Sequence, residues 1–255
     1  NATQQEQSIE NADLSTHQRL AELSLRDLQK EMARRLVIIR ALLPNLASGD
    51  DDLIEETIKR LAKTGDPRLS RFFELYRQGS VYNWPDDDGN VRIVVNEETE
   101  EDDDLNEFAP LFEPVTGNAI LINGKQAKPD IFDLEDISPG RKLRKLVNSS
   151  KFLLRLFSIQ SPIRKSGVKK CGDPPYNADA LPFLDEITEK DKDLKIRWFA
   201  TESILLIRLA GKDPDNSTFS DRLEAIRKLS EIKSLRAFPR IEDFQKKLKA
   251  GDEEF

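Results

Sequence analysis

The sequence predicts a mostly α-helical fold of antiparallel helix pairs, with a small β-hairpin excursion near residues 81–95 and 120–127. Three observations predict it. Apolar residues recur at intervals of three and four over most of the 255 residues, the spacing that lines one face of a helix. Charged residues make up 34% of the chain and apolar ones only 38%, which suits a surface-rich, elongated or repetitive helical protein better than a sphere. One punctuation pattern also occurs twice. Leu61-Ala62-Lys63-Thr64-Gly65-Asp66-Pro67 and Leu209-Ala210-Gly211-Lys212-Asp213-Pro214 both end an apolar run near a glycine and then present Asp-Pro. Short helix pairs with such turns are what HEAT-like repeats need, because each pair must stack on its neighbours to bury its apolar face.

The expected organisation is a flexible N-terminal segment over 1–14, a single helical-repeat domain over 15–249, and a flexible tail over 250–255. The first helix is expected over 15–46, carried by Leu20, Leu23, Leu28, Met32, Leu36, Ile39 and Leu43. Pro44 lies near its end, and Ser48-Gly49-Asp50 reads as a stop followed by a new start. The next helix, over 51–63, turns Leu53, Ile54, Ile58, Leu61 and Ala62 inward and closes at Thr64-Gly65. Asp66 then serves as N-cap, with Pro67 as the first helical residue, since proline has no N–H to leave unpaired there. Leu69, Phe72, Phe73 and Tyr76 follow at helical spacing.

The period then changes. Residues 81–84, a turn over 85–90 and residues 91–95 read as a hairpin, with Tyr82 and Trp84 packing it on the helices. Residues 97–107 hold eight acids and no base, so 97–110 is expected to be a solvated, mobile insertion. Residues 120–122 before Asn123-Gly124 predict a second short strand and turn. Helix returns over 141–157, with Leu143, Leu146, Val147, Phe152, Leu153 and Leu156 inward. Residues 161–176, rich in Pro, Gly and Lys, read as a loop. Further helices are expected over 180–188, 193–210 and 220–232, with Trp198 and Phe199 in the core. A closing stretch over 235–249 breaks or restarts at Pro239.

Several function classes lose their footing. A net charge of −7 argues against a general nucleic-acid binder, which needs an excess of Lys and Arg. No stretch approaches the roughly 20 apolar residues of a membrane span. Cys171 is the only cysteine and His17 the only histidine, too few for a structural zinc site or a Cys-His nucleophile pair. The start at Asn1-Ala2 implies a piece of a longer chain, so an absent targeting segment carries no weight. Ser48-Gly49-Asp50 lacks the lysine and spacing of a phosphate loop, and no cofactor motif is present. The acid runs at 50–52 and 86–88 lack the alternating ligands and terminal Glu of a calcium loop, and helix-start and turn chemistry accounts for them. The chain is therefore expected not to be an enzyme. A catalytic reading would need a deep pocket holding strongly perturbed carboxylates.

Four stretches carry a resemblance. They are Ala41-Leu42-Leu43-Pro44-Asn45-Leu46-Ala47-Ser48-Gly49-Asp50; Ile58-Lys59-Arg60-Leu61-Ala62-Lys63-Thr64-Gly65-Asp66-Pro67-Arg68, running on through Leu75 and Gly79 to Val81-Tyr82; Gly89-Asn90-Val91-Arg92-Ile93-Val94; and Arg141-Lys142-Leu143-Arg144-Lys145-Leu146, followed by an apolar helix and Leu156-Phe157-Ser158. Read in order, with Leu181-Pro182-Phe183-Leu184 and the closing helices after them, they resemble the N-terminal extracytoplasmic region of urea ABC-transporter permeases, in the branched-chain amino-acid transporter superfamily. The likeness spans residues 41–244 and rests on order and spacing. Members are commonly Ala-rich here, whereas this chain is more charged, and its acidic insertion and the 166–175 loop depart from the pattern. The resemblance implies a non-catalytic domain on the periplasmic side of the inner membrane, with the transmembrane helices beyond Phe255. The implied partners are the permease transmembrane region, a second permease copy and a urea-binding protein. A free-standing helical-repeat adaptor for protein–protein interaction is the alternative.

The most conspicuous local feature is a basic run. Arg141, Lys142, Arg144, Lys145, Lys151 and Arg155, then Arg164, Lys165, Lys169 and Lys170, occur with no Asp or Glu over 138–171. The first six are the candidate docking residues, for an acidic partner or lipid headgroups. The plainer reading is a solvated helix face balanced by the acidic tract at 97–107.

Overall fold

The computed structural model describes residues 25–85, 89–101 and 103–250, and over them the chain is mostly helical with a few short antiparallel strand pairs. The flexible segment expected over 1–14, the start of the first helix, His17, the acid run at 86–88 and most of the 250–255 tail lie outside the described residues. The apolar pattern gives no boundary within 15–249, yet the chain divides into two compact units, Asn1–Leu154 and Arg155–Phe255.

In the first unit, helix α1 (Leu25–Leu42) runs into a 3-10 turn, Leu43–Ala47. Pro44 forces the change, because it cannot donate to the carbonyl four residues back. Asp50 then caps α2 (Asp51–Lys63): its carboxylate accepts from the N–H groups of Asp52 at 2.9 Å and Leu53 at 3.2 Å. Ile54, Thr57, Ile58 and Leu61 form the buried stripe of α2, while Leu53, expected inward, is exposed one position off it. Helix α3 (Leu69–Gln78) buries Leu69, Phe72, Phe73, Leu75 and Tyr76, and stops at Gly79 with φ +87°. A side chain at Gly79 would also strike Ser138 Oγ at 2.9 Å, so glycine is required twice over.

The β excursion forms where the alternation predicts it, and it is larger than a hairpin. Strand β1 (Val81–Asn83) pairs with β2 (Ile93–Val95) in the register Val81↔Val95. Four short strands come next: β3 (Glu100–Glu101) pairs with β4 (Glu107–Phe108), and β5 (Leu121–Ile122) with β6 (Lys125–Gln126). Asn123 and Gly124 turn the second pair with φ of +52° and +79°, the geometry an Asn-Gly hairpin turn demands. Strand β7 (Glu135–Asp136) joins the far edge of β1, giving the order β2-β1-β7. Tyr82 and Trp84, expected to pack the hairpin on the helices, pack on an apolar cluster within the β excursion, formed by Val94, Ala109, Leu111, Ile120 and Ala127. The described residues of the acidic tract are exposed, as its charge dictates, with β3 and β4 pairing across it, and Ala109 and Pro110 at its end are buried. Backbone bonds from Ala109 to Pro129 and from Leu111 to Ala127 hold that end in place. Helix α4 (Arg141–Arg155) follows, burying Leu143, Val147, Ser150 and Leu154 along one face.

In the second unit the segment expected as a loop over 161–176 opens with a helix, α5 (Ser161–Cys171). Pro162 sits in its first turn, where proline starts helices instead of breaking them. Gly167 is there for packing, since a Cβ would lie 2.7 Å from Arg155 Cβ. Helices α6 (Leu181–Lys190), α7 (Leu194–Leu209), α8 (Phe219–Glu231) and α9 (Phe238–Ala250) complete the unit, and Pro239 is the second residue of α9. Helix α7 is the centre: α5, α6 and α8 all pack on it, and its second half is buried nearly all round. Its first half is not. Trp198 is exposed and Phe199 half-buried, against the expectation that both are core. Leu205, Leu206 and Leu209 meet Ala225, Leu229, Ala237 and Phe244 in the main apolar cluster.

The two Asp-Pro turns share one device. Gly65 and Gly211 take φ of +65° and +66°, and the aspartate that follows is buried. Asp66 accepts from Arg68 N at 3.0 Å and pairs with the Arg68 guanidinium at 2.6 Å. Asp213 accepts from Asp215 N at 3.1 Å and pairs with Arg208 at 2.8 Å. Helix α3 begins at Leu69 with Arg68 at its N-cap, so Asp66, expected as the N-cap itself, lies two residues earlier and caps the turn that leads into the helix. Asp66→Ala and Asp213→Ala are each expected to lower stability by about 1–3 kcal/mol, because each strips the partner from a partly buried N–H and a guanidinium. Asp215→Ala, at an exposed neighbour, should stay within about 0.5 kcal/mol; urea unfolding of the three variants measures this.

Candidate functional site

The basic run predicted as a docking face falls on α4 and α5, and its members have different fates. On α4, Lys142 Nζ lies 2.9 Å from Glu55 of α2, and Lys151 pairs with Glu74 of α3. Arg144 Nε donates to the Pro139 carbonyl at 2.9 Å, and Arg155 Nη1 to Ser166 Oγ at 3.3 Å. Arg141 and Lys145 are exposed, four residues apart, and among the described residues neither has an ion-pair partner. The counter-charges therefore come from α2 and α3. The acidic tract, expected to balance this run, turns to other bases: Glu97 pairs with Arg71, and Glu100 with Lys128 at 2.6 Å.

Electrostatics follow from these pairs. The Lys151 ammonium, helped by Arg77, holds the Glu74 carboxyl down to about 2. Lys142 and then Lys59 hold Glu55 below its ordinary range. Burial alone pushes Glu113 up, but the Thr116 hydroxyl and N–H and the Arg40 guanidinium outweigh it and leave Glu113 low. These carboxylates are stabilised anions, not poised acids.

Sequence reasoning missed the strongest charge cluster of the second unit. Glu202, 1% exposed within α7, takes Arg236 Nη1 at 2.6 Å and Ser234 Oγ at 2.6 Å. Arg236 Nη2 in turn donates to the Lys169 carbonyl at 2.6 Å and to Asp173 at 3.0 Å, and Arg240 reaches the same Asp173 oxygen at 2.9 Å. The only signal was an acid set inside the long apolar run of 196–209. This network ties α7 to the α8–α9 turn and to the end of α5, a structural task.

Burial pushes the Cys171 thiol up to about 12, far from a nucleophilic thiolate at neutral pH. Among the described residues, no three His, Cys, Asp or Glu side chains come together as a metal-binding group. A cleft of about 210 Å³ in the first unit is lined by Arg68, Arg71, Phe112, Glu113 and Thr116 among others. Arg68 is held by Asp66, Arg71 by Glu97, and Glu113 by Arg40 and the Val115 and Thr116 N–H groups.

Two tests follow. Glu202→Ala, which leaves the half-buried Arg236 guanidinium with only Asp173 and the Lys169 carbonyl and Ser234 Oγ without its acceptor, is expected to lose about 1–3 kcal/mol of stability, read from urea unfolding. Glu74 has a depressed folded pKa, so its contribution is present above the unfolded value of 4.5 and disappears as pH falls through about 2. Glu74→Gln should be less stable than the parent at pH 7, with the difference shrinking steadily as pH falls from 4.5 towards 2, as thermal unfolding across that range would show.

Compared with known proteins, the chain matches no family model, no curated protein and no solved structure.

Proposed function

We propose that this chain is a non-catalytic helical scaffold for protein contacts, and that it forms the extracytoplasmic part of a urea-type ABC-transporter permease. The observation that carries the scaffold reading is the α4 face. Among the described residues Arg141 and Lys145 have no acidic partners and stand exposed, on a helix whose other basic residues are tied down. An acidic surface docking there gains charge pairs at little desolvation cost, and such contacts set specificity and association rate. The permease reading rests on the order of the resembling stretches, which run through both units over 41–244. Among the described residues no helix is long and apolar enough to cross a membrane, so on this reading the transport pathway belongs to other segments.

The test is calorimetric titration of this chain with the substrate-binding protein of a urea-type transporter. Micromolar binding is expected, weakened about tenfold or more when Arg141→Glu and Lys145→Glu are combined. No heat at high micromolar concentrations of both proteins would remove the permease reading and leave the free-standing adaptor.

A further inference from the structure

The second unit carries a different charged surface, on α5 and the first half of α7. Helix α5 has four cations and no acid, and two of the four are already committed: Arg164 to Asp191 at 2.5 Å and Lys170 to Asp173 at 3.6 Å. Lys165 and Lys169 are not. They lie four residues apart on one helix face, and both ammonium groups sit 4.9 Å from the centre of the Phe199 ring. Among the described residues neither has a carboxylate partner. Like charges at this spacing repel, and one ring quadrupole shared between two ammonium groups is a weak substitute for a counter-ion.

Apolar surface adjoins this pair of charges. Trp198 stands edge-on to Phe199, with ring centres 4.9 Å apart, and is 37% exposed. Leu194, one turn earlier on the same helix, is 73% exposed. The patch thus joins an unneutralised cation pair to a bulky apolar shelf, on a helix whose second half is the best-buried element of the unit. The rigid base matters, because the shelf presents its side chains without first paying to order them.

We propose that the Lys165, Lys169, Phe199, Trp198 and Leu194 face docks an acidic protein segment that carries a large apolar side chain. Carboxylates of that segment accept from the two ammonium groups, and its apolar side chain packs across Trp198 and Leu194. A peptide is favoured over an anionic bilayer by charge. Fields are screened within about 8 Å at physiological ionic strength, so a peptide meets only this local positive patch. A bilayer is a plane that meets a whole side of a chain whose net charge is −7. The proposal is independent of the α4 face and of any attachment to a transporter.

The probe is a fluorescein-labelled peptide of glutamates interrupted by one leucine and one phenylalanine, followed by anisotropy against the full chain. Saturable binding that weakens with salt is expected, with the lysine-for-glutamate version of the peptide inert. Lys165→Gln with Lys169→Gln should weaken binding at least about tenfold, while Lys246→Gln with Lys249→Gln on exposed α9 leaves it unchanged. Leu194→Glu, at a side chain that is already exposed and so leaves the packing intact, should weaken it similarly and keeps the test decisive if the double lysine variant does not fold. No peptide binding at millimolar concentration, equal affinity for the Lys165/Lys169 and Lys246/Lys249 variants, or binding to phosphatidylglycerol-containing vesicles without binding to the peptide would each overturn the proposal.

Discussion

Arginine on a helix-end carbonyl is the interaction on which this molecule depends. A helix leaves its last carbonyls without partners, and in a fold of short helices such ends are frequent. Here guanidinium groups from other parts of the chain take them up. Arg35, itself 1% exposed, donates to the Gly65 carbonyl just past α2 at 3.1 Å. Arg197 donates to Thr188 in the last turn of α6 at 2.7 Å, Arg222 to Leu209 at the end of α7 at 3.0 Å, and Arg236 to Lys169 near the end of α5 at 2.6 Å. Each bond fixes where one helix stops and also ties that stop to another element.

The buried aspartates complete the arrangement from the other side. Asp66, Asp191 and Asp213 each occupy a turn, and each accepts from the N–H two residues on while pairing with an arginine. A carboxylate withdrawn from water is costly unless its oxygens are occupied, and both oxygens of each are. The high charge content of the sequence is therefore partly internal. Many of its acids and bases set turn geometry, and fewer remain to define an outer surface than composition implies.

That division explains what could be read from the residues. Helices α2 and α6–α9 were legible from their apolar stripes, and at α2 the Asp50 cap agrees with the stripe. The Asn123-Gly124 turn was legible for its backbone demand alone. Helix α5 was not, because Pro162 and Gly167 look like breakers until one sees that the first occupies an initial turn and the second lies against Arg155. Strand β7 was hidden by its two acids, since edge strands of two residues leave no alternation to detect. Of the six α4 cations singled out as a docking face, sequence could place them on one helix but could not say which were taken. Pairing depends on Glu55 and Glu74 arriving from distant positions, and no local pattern announces that. Trp198 misled for a related reason: it lies in an apolar run, yet only half of that run is enclosed.

Cys171 has one more consequence. It is the chain's lone thiol and is fully covered, at the last turn of α5 beside Val168. Its reaction with a maleimide requires α5 to detach from the underlying layer, so the unmodified protein carries a built-in gauge of how often that helix breathes.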